Sequence, residues 1–489
     1  MAGPVPSRTP RAGRGATRAG PLSRLVRARR AGAVTATALV SASIERLHGP
    51  GSPLGVVAEA AYDAALAEAA RRDREADRRG ALSGAPTLIK DLEDWAGLPT
   101  RQGSRTLAAA PPAWVSSPTP ARLAAAGAIV VGKSTLPEFA IEGYTANALT
   151  GVTRNPWNLA LSPGGSSGGS AAALAAGLVA VATATDGGGS VRIPAALCGL
   201  VGLKPSAGLI GRFPAPDWID YATDGVLACA VDDLARLVSI VRGPVAGDPA
   251  SLPAALQARL PRWREAPLRL LAAQRTSPWG PLDPDVERAL DAAVDLVADV
   301  VRAPVEWMAP EEFFAPEDPD LDWYVTCAAE HVHRLGEATV RASLDRYHVA
   351  TREFFAQGLE VSLPDYLAAR RRRFAYTRRL EGLLGDDGLL LTPVVTSSGW
   401  PADGRDASGE VHGLHPRHLA TVIQNITGLP ALSVPLGMLD SGLPFGLQIT
   451  APRYHDDRLV DLAALLEQAA PWPHCAPGYV TLPDALGLD

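Results

Sequence analysis

The chain has 489 residues, of which 47% are hydrophobic and 20% charged, as in an ordinary globular protein, and its length suits roughly two to three domains. Its formal net charge of −6 gives no reason to expect a nucleic-acid partner, and no apolar run is long enough to span a membrane. The four cysteines form no C-x-x-C pair, so neither a zinc site nor a disulfide framework is indicated, and we expect buried thiols in a reducing cytoplasm.

The N-terminal thirty residues contain eight arginines and no acidic residue, so we predict that residues 1–30 form a disordered basic tail. A first helix follows, with Thr35 as its cap. The buried stripe of this helix is predicted to be Leu39, Val40, Ile44 and Leu47. Residues 29–43 also resemble a twin-arginine export signal, but Glu45 and Arg46 interrupt the apolar segment too soon for one.

The next two predicted elements are a helix and a strand. Residues 56–79 are rich in alanine and charged residues and predict a long helix that ends at Gly80. Residues 85–92 predict a short apolar strand that delivers Lys90. Such a lysine is either a surface residue paired with Asp91 or a buried amine that needs partners or loses its proton.

Residues 127–134 fit the phosphate-loop pattern G-x-x-x-x-G-K-[ST]. A phosphate loop needs its strand before the first glycine, so that the residues between the glycines can wrap the phosphates. Here those intervening residues, 128–131, predict the strand itself, following a helix at 121–126. We therefore reject ATP binding through Lys133.

Two glycine- and serine-rich loops, 162–170 and 185–192, flank a predicted helix at 171–177 and a predicted buried strand at 178–185. Residues 164–168 also fit the G-x-S-x-G pattern of a hydrolase nucleophile elbow. That elbow needs a clear strand directly before it, and residues 158–163 do not predict one. It also needs a catalytic histidine, and no histidine lies in a sequence pattern that marks it as catalytic. The available histidines are His412, His415, His418, His455 and His474.

Beyond residue 202 the predicted helices and strands alternate, which indicates an α/β protein with a sheet covered on both faces. The predicted helices are 232–241, 284–301, 363–383 and 459–469. The predicted strands are 389–395 and 443–450, and residues 421–436 join a helix to a buried strand. An aromatic group is expected in the core or in a pocket wall: Phe313, Phe314, Trp323 and Tyr324.

The second loop carries the chemistry of an acyl-transfer site. Ser190 is a candidate nucleophile, and the backbone N–H groups of Gly187, Gly188 and Gly189 are candidate donors to a developing oxyanion. The base has to come from elsewhere, and a lysine can serve if burial lowers its pKa.

The segments 164–170 and 186–194 together resemble the core pattern of the amidase signature family of serine hydrolases. Ser166 and Ser190 are 24 residues apart, which is the spacing in that family. Further segments that match the family are Lys90–Asp91, 132–134, 136–139, 202–206 and 425–430.

This resemblance implies a mixed, largely buried central sheet with helices on both faces, in one domain over residues 31–489 with a variable, substrate-shaping region at about 245–380. It also implies an amidase that forms an acyl-enzyme on Ser190 and releases ammonia or an amine. The roles implied by the resemblance are Lys90 as base, Ser166 as proton relay after a cis peptide bond, and Asp186 and Arg192 as structural support.

No cofactor, metal, nucleic acid or membrane is expected for such an enzyme, and its partner is a small-molecule amide in the cytoplasm. The sequence leaves open whether the protein forms a homodimer. Gly187 departs from the Thr or Ile of many members and is expected to leave more room beside the oxyanion site. Pocket residues are expected from 139–144, 213–221 and 300–380, whose aromatic residues suggest an apolar or aryl acyl group.

Two other functions compete with this one. The first is the ammonia-producing A-type subunit of a tRNA-dependent amidotransferase, which shares the core motif but usually carries Thr where this chain has Gly187. The second is a non-catalytic scaffold, against which the joint presence of Lys90, Ser166 and Ser190 argues.

Overall fold

The computed structural model describes residues 19–76, 78–258, 268–276, 282–309, 318–405 and 420–488. Several residues singled out from the sequence lie outside these ranges: Phe313, Phe314, His412, His415 and His418.

In the described residues the helices are α1 (Pro21–Ala31), α2 (Ala36–His48), α3 (Tyr62–Arg74), α4 (Pro118–Ala125), α5 (Gly168–Ala175), α6 (Arg192–Cys198), α7 (Val231–Val241), α8 (Ala254–Gln257), α9 (Pro284–Val301), α10 (Pro319–Leu335), α11 (Glu337–Ser343), α12 (Val349–Glu360), α13 (Leu363–Leu384), α14 (Val422–Thr427), α15 (Asp456–Ala469) and α16 (Leu482–Ala485). Short 3₁₀ helices are Ser52–Leu54, Arg105–Leu107, Glu138–Ala140 and Leu344–Arg346.

The strands are β1 (Val57–Ala60), β2 (Pro86–Lys90), β3 (Ile129–Ser134), β4 (Ala146–Asn147), β5 (Gly151–Val152), β6 (Val181–Asp186), β7 (Val201–Lys204), β8 (Thr223–Ala228), β9 (Arg269–Ala272), β10 (Val305–Trp307), β11 (Gly388–Pro393), β12 (Ala431–Met438) and β13 (Pro444–Thr450). Eleven of them form one sheet in the order β1-β3-β2-β6-β8-β7-β12-β13-β11-β9-β10. Strands β3, β2 and β6 run parallel, as do β11, β9 and β10, and the strands between them are antiparallel. The predicted mixed sheet is confirmed.

The two faces of the sheet are both covered, as alternate residues of β6 illustrate. Val181 belongs to the core cluster that includes Leu234 and Leu237 of α7. Ala182 and Ala184 belong to another cluster, which includes the alanine-rich helix α5. Because successive side chains of a strand point to opposite faces, helices pack on both sides of the sheet and bury its centre.

The N-terminal segment departs from the prediction, because residues 21–31 form helix α1 rather than part of a disordered tail. Leu22, Leu25 and Val26 lie on one face of α1 and are buried in the core. Asp233 accepts hydrogen bonds from the backbone N–H groups of Leu22 and Ser23 at 2.9 and 2.8 Å, so α7 holds the first turn of this helix. The surrounding arginines hid this apolar face in the sequence.

The predicted helix at 56–79 is wrong at both ends, since the observed helix α3 runs only from Tyr62 to Arg74. Residues 57–60 form β1, which pairs antiparallel with β3 at the edge of the sheet, and helix α3 begins only at Tyr62. The segment is alanine-rich and β1 is only partly buried, so neither the apolar period nor the composition marked the strand.

The rejected phosphate loop is a strand, as predicted, because residues 129–134 form β3. The amine of Lys133 is buried and lies 2.9 Å from an oxygen of Asp91. It also donates to the hydroxyl of Thr100 at 2.7 Å. The side chain therefore ties β3 to the loop after β2.

Candidate active site

Lys90 is the last residue of β2, and β6 lies beside it in parallel. Its amine is fully buried and donates to Ser166 Oγ at 2.7 Å and to Thr185 Oγ1 at 2.8 Å. Its backbone N–H donates to Thr183 Oγ1 at 2.8 Å. Two threonines on one face of β6 thus position the lysine against Ser166.

Burial lowers the pKa of Lys90 to about 7, although Glu93 and Asp186 act in the opposite direction. At neutral pH a large share of this amine is therefore unprotonated and able to accept a proton. The alternative of a surface lysine paired with Asp91 is wrong, because Asp91 pairs with Lys133 instead.

Ser166 lies in a loop whose backbone is pressed against its neighbours. The Gly165–Ser166 peptide bond is cis, as the family resemblance implied. A Cβ on Gly165 would lie 2.6 Å from the carbonyl oxygen of Glu142, so this position admits no side chain. The loop contacts the second serine through the Ser167 N–H, which donates to the Ser190 carbonyl oxygen at 3.3 Å.

The glycine loop after β6 is held through its carbonyl groups. The indole Nε1–H of Trp323 donates to the Gly187 carbonyl oxygen at 2.7 Å, and the Thr421 hydroxyl donates to the Gly188 carbonyl oxygen at 2.6 Å. These contacts fix the peptide planes before Ser190. One prediction needs correction: the Gly189 N–H donates to the Asp186 carboxylate at 2.8 Å and so is not available to an oxyanion.

Asp186 and Arg192 form a buried ion pair beneath this loop, at 2.8 Å. Burial acts to raise the pKa of Asp186, but the Arg192 guanidinium outweighs it and holds the pKa well below its usual range. The remaining donors of Arg192 reach the acceptors Thr421 O, Gln424 Oε1, Gln448 Oε1 and Asn425 Oδ1. Both charged groups of the ion pair therefore have hydrogen-bond partners, and the pair connects the glycine loop to α14 and β13.

A pocket of about 400 Å³ opens onto Ser166 and Ser190. Each of the three predicted regions contributes to its wall. Phe139 and Ala140 come from 139–144, residues 213–218 come from 213–221, and Arg334 comes from 300–380. Its apolar wall is formed by Leu107, Phe139, Phe213 and Trp218. His455 and His474 do not line it, which agrees with the rejection of a serine–histidine elbow.

The expected extra room beside Gly187 is not found. A Cβ on Gly187 would lie 2.3 Å from the Trp218 ring, and a Cβ on Gly188 would lie 2.8 Å from the Trp323 ring. Two tryptophan side chains from the 213–221 and 300–380 regions therefore occupy the space that side chains on the loop would take.

Sequence reasoning missed the supporting residues of the site. Thr183 and Thr185 alternate in an otherwise alanine- and valine-rich buried strand, and that pattern of two polar residues on one face was a usable signal. Trp218 and Thr421 gave no local signal, because their contacts to the loop depend on elements distant in the chain.

The comparisons with known proteins agree with this geometry. A family model described as Amidase matches residues 38–460. The chain belongs to the amidase signature family. The AmiB2 protein of Mycobacterium tuberculosis is 33% identical over 467 residues, an alignment covering 91% of this chain and 95% of the relative. The A-type subunit of the glutamyl-tRNA(Gln) amidotransferase of Cyanothece sp. is 33% identical over 448 residues, covering 83% and 89%.

The crystal structure of a bacterial aryl acylamidase of the amidase signature family superposes with a TM-score of 0.81 at 26% sequence identity, covering 93% of this chain and 96% of that one. The protein is therefore an amidohydrolase with the amidase signature fold. No helix in the described ranges is long and apolar enough to cross a membrane. The same residues contain no group of three or more His, Cys, Asp or Glu side chains placed to hold a metal ion.

Proposed function

We propose that this amidase uses Ser190 as its nucleophile, Ser166 as a proton relay and Lys90 as the general base. The observation that carries this proposal is the 2.7 Å contact between Lys90 Nζ and Ser166 Oγ, beside a pocket that both serines line. A serine hydroxyl becomes a competent nucleophile when a base can take its proton.

In the first step Ser190 Oγ bonds to the amide carbonyl carbon, and its proton passes through the Ser166 hydroxyl to the neutral amine of Lys90. The C–N bond then breaks, and the proton returns through Ser166 to the departing nitrogen. An acyl ester on Ser190 and a free amine or ammonia result. Water then bonds to the ester carbon and gives a proton through Ser166 to Lys90. That proton returns to Ser190 Oγ as the ester bond breaks, and the carboxylic acid leaves.

The developing oxyanion is proposed to lie against the glycine loop. The loop supports this role through Gly187 and Gly188, whose carbonyl groups are tied down by Trp323 and Thr421. Asp186 and Arg192 are proposed to hold the loop in shape rather than to react.

We propose a stand-alone enzyme for small-molecule amides in the cytoplasm. The aryl acylamidase structure superposes with a TM-score of 0.81, whereas an amidotransferase A subunit from Thermotoga maritima superposes with 0.71, which favours the stand-alone form. All four cysteines are free thiols, as expected in a reducing compartment. The apolar wall with Phe139, Phe213 and Trp218 supports an apolar or aryl acyl group. A homodimer is compatible with this function and is not required by it.

The test is ammonia release by the purified chain, without any partner, from a panel of aliphatic, aryl and peptide amides. The proposal predicts turnover that falls about 10⁴-fold or more in Ser190→Ala. Ser170→Ala is the matched control, since Ser170 donates to the Thr183 carbonyl oxygen at 2.8 Å and does not line the pocket. It is expected to keep measurable turnover. Release only after addition of amidotransferase partner subunits would support the competing function.

A further inference from the structure

The wall of the pocket contains more acidic than basic side chains. Four acidic and two basic side chains line it. Both basic residues are paired: Arg212 contacts Asp224 at 2.8 Å, and Arg334 contacts Asp217. The carboxylate of Asp94 accepts a hydrogen bond from the Thr100 hydroxyl at 2.6 Å. That leaves the charge of Glu93 without a dedicated counter-ion in the pocket.

Glu93 is unusual in its burial. The residue is 4% exposed, and neither carboxylate oxygen has a hydrogen-bond donor of good geometry among the described residues, although the Thr183 hydroxyl is near enough to favour the ionised carboxylate. Its position is fixed by the turn after β2, where its N–H donates to the Lys90 carbonyl oxygen at 2.9 Å. A buried carboxylate in this situation is costly unless a partner arrives.

Resting on the proposed amidase function, we propose that Glu93 binds a positively charged nitrogen of the substrate, so that the preferred amides carry a primary ammonium group. The ammonium ion has three N–H donors and one positive charge, and it would supply the well-aligned donors and the counter-ion that Glu93 lacks. The apolar part of the same wall, with Phe139 and Trp218, would contact the methylene chain or ring between the ammonium group and the amide.

The titration of Glu93 is consistent with an absent partner. Burial and the nearby Asp224 raise its pKa to about 8, although Thr183, Arg212 and Lys90 favour the ionised form. A cation that binds there displaces the proton. The guanidinium of Arg212 does not make the pocket an anion site, because Asp224 already balances its charge.

The experiment compares pairs of amides that differ only in ammonium against methyl, at about pH 9, where Glu93 is ionised and a primary amine is still largely charged. On the acyl side the pair is 5-aminopentanamide and hexanamide. On the leaving-group side it is N-(4-aminobutyl)acetamide and N-pentylacetamide. The two pairs tell which end of the substrate reaches Glu93. In each, the measured quantity is the ratio of kcat/KM for the ammonium compound to that for its methyl twin.

In at least one pair the wild-type ratio is expected to be about tenfold, and Glu93→Gln is expected to bring it to about one. Using a ratio removes any effect of Glu93 on the pKa of Lys90. Glu306→Gln is the control, because Glu306 is exposed, pairs with Arg269 and lies outside the pocket, so the wild-type ratio should persist. Ratios near one in both wild-type pairs, or a raised ratio unchanged in Glu93→Gln, would overturn the proposal.

A separate inhibition experiment uses only the wild-type enzyme. Butylammonium should inhibit hydrolysis of hexanamide competitively, with an inhibition constant about tenfold below that of butan-1-ol. Equal inhibition constants would count against Glu93 as a cation site even if Glu93→Gln fails to fold. Absence of any Ser190-dependent hydrolysis of the neutral twins would instead be a failure of the amidase mechanism itself, so the two proposals fail separately.

Discussion

The indole Nε1–H of Trp323 donates to the carbonyl oxygen of Gly187 over 2.7 Å, so helix α10 holds the loop that precedes Ser190. The contact joins residues that are 136 positions apart in the chain. It connects the 245–380 segment to the loop before Ser190, and Arg334 of the same segment lines the pocket.

Trp323→Phe removes this hydrogen bond and keeps the aromatic ring. We expect kcat to fall about tenfold with little change in KM, because the loop is proposed to stabilise the transition state more than to bind the amide. Trp472→Phe is the matched control, since Trp472 donates in the same way to Cys229 O at 2.9 Å, outside the pocket. Equal losses in the two variants would show that the contact to Gly187 has no special role.

Gly187→Ala should destabilise the protein, because the new Cβ would lie 2.3 Å from the Trp218 ring. We expect a loss of about 1–3 kcal/mol in the free energy of unfolding, together with lower kcat/KM. Adding Trp218→Ala should recover part of both losses, and a double-mutant cycle measures this coupling. Gly382→Ala, where nothing lies within 4 Å, is the control. Additive losses would refute the packing argument.

The burial of Lys90 should appear in the stability of the protein. The folded-state pKa of about 7 lies below the ordinary 10.5, so the unfolded chain binds more protons between these values and stability rises with pH there. Lys90→Met removes the free-energy cost of burying a charged amine. It should raise the free energy of unfolding by about 1–4 kcal/mol near pH 6.5, and by less near pH 9.5, in urea titrations.

Lys133→Met provides the contrast for that experiment. Lys133 is also buried, but its loss leaves the buried Asp91 without its ion-pair partner. That variant should be less stable than the wild type near neutral pH. A gain from Lys90→Met that did not vary with pH would contradict the protonation argument.

The rate of amide hydrolysis should follow the titration of Lys90. If neutral Lys90 is the base, kcat/KM for a neutral amide rises about tenfold per pH unit below about pH 7 and levels off above it. A stopped assay of ammonia across this range, with stability checked at each pH, makes the measurement. An optimum on the acid side would exclude Lys90 as the base.

Sequence patterns predicted the centre of this molecule well and its edges less well. Helix α9 begins and ends where its apolar period placed it, and Lys90 and Ser166 were matched by motif. Strand β1 and helix α1 were missed, because an edge strand has weak periodicity and the apolar face of α1 is interrupted by arginines. The spacing of serines and glycines could not reveal that two tryptophans fill the space beside Gly187 and Gly188.

The chemistry of Glu93 was equally hidden in the sequence. It follows Lys90 by three positions in an acidic segment that is typical of a solvated loop. Only the burial of both its oxygens in the pocket wall distinguishes it. Burial of a side chain in a loop depends on long-range packing, which local patterns do not report.

The most direct test of the central claim is to locate the acyl group during turnover. The enzyme is quenched in acid while hydrolysing an aryl amide, digested, and analysed by peptide mass spectrometry. We predict the mass of the acyl group on Ser190 of the wild-type chain and no such adduct in Ser190→Ala. An acyl adduct on Ser166 or on another side chain, or turnover by a folded Ser190→Ala variant at the wild-type rate, would contradict this mechanism.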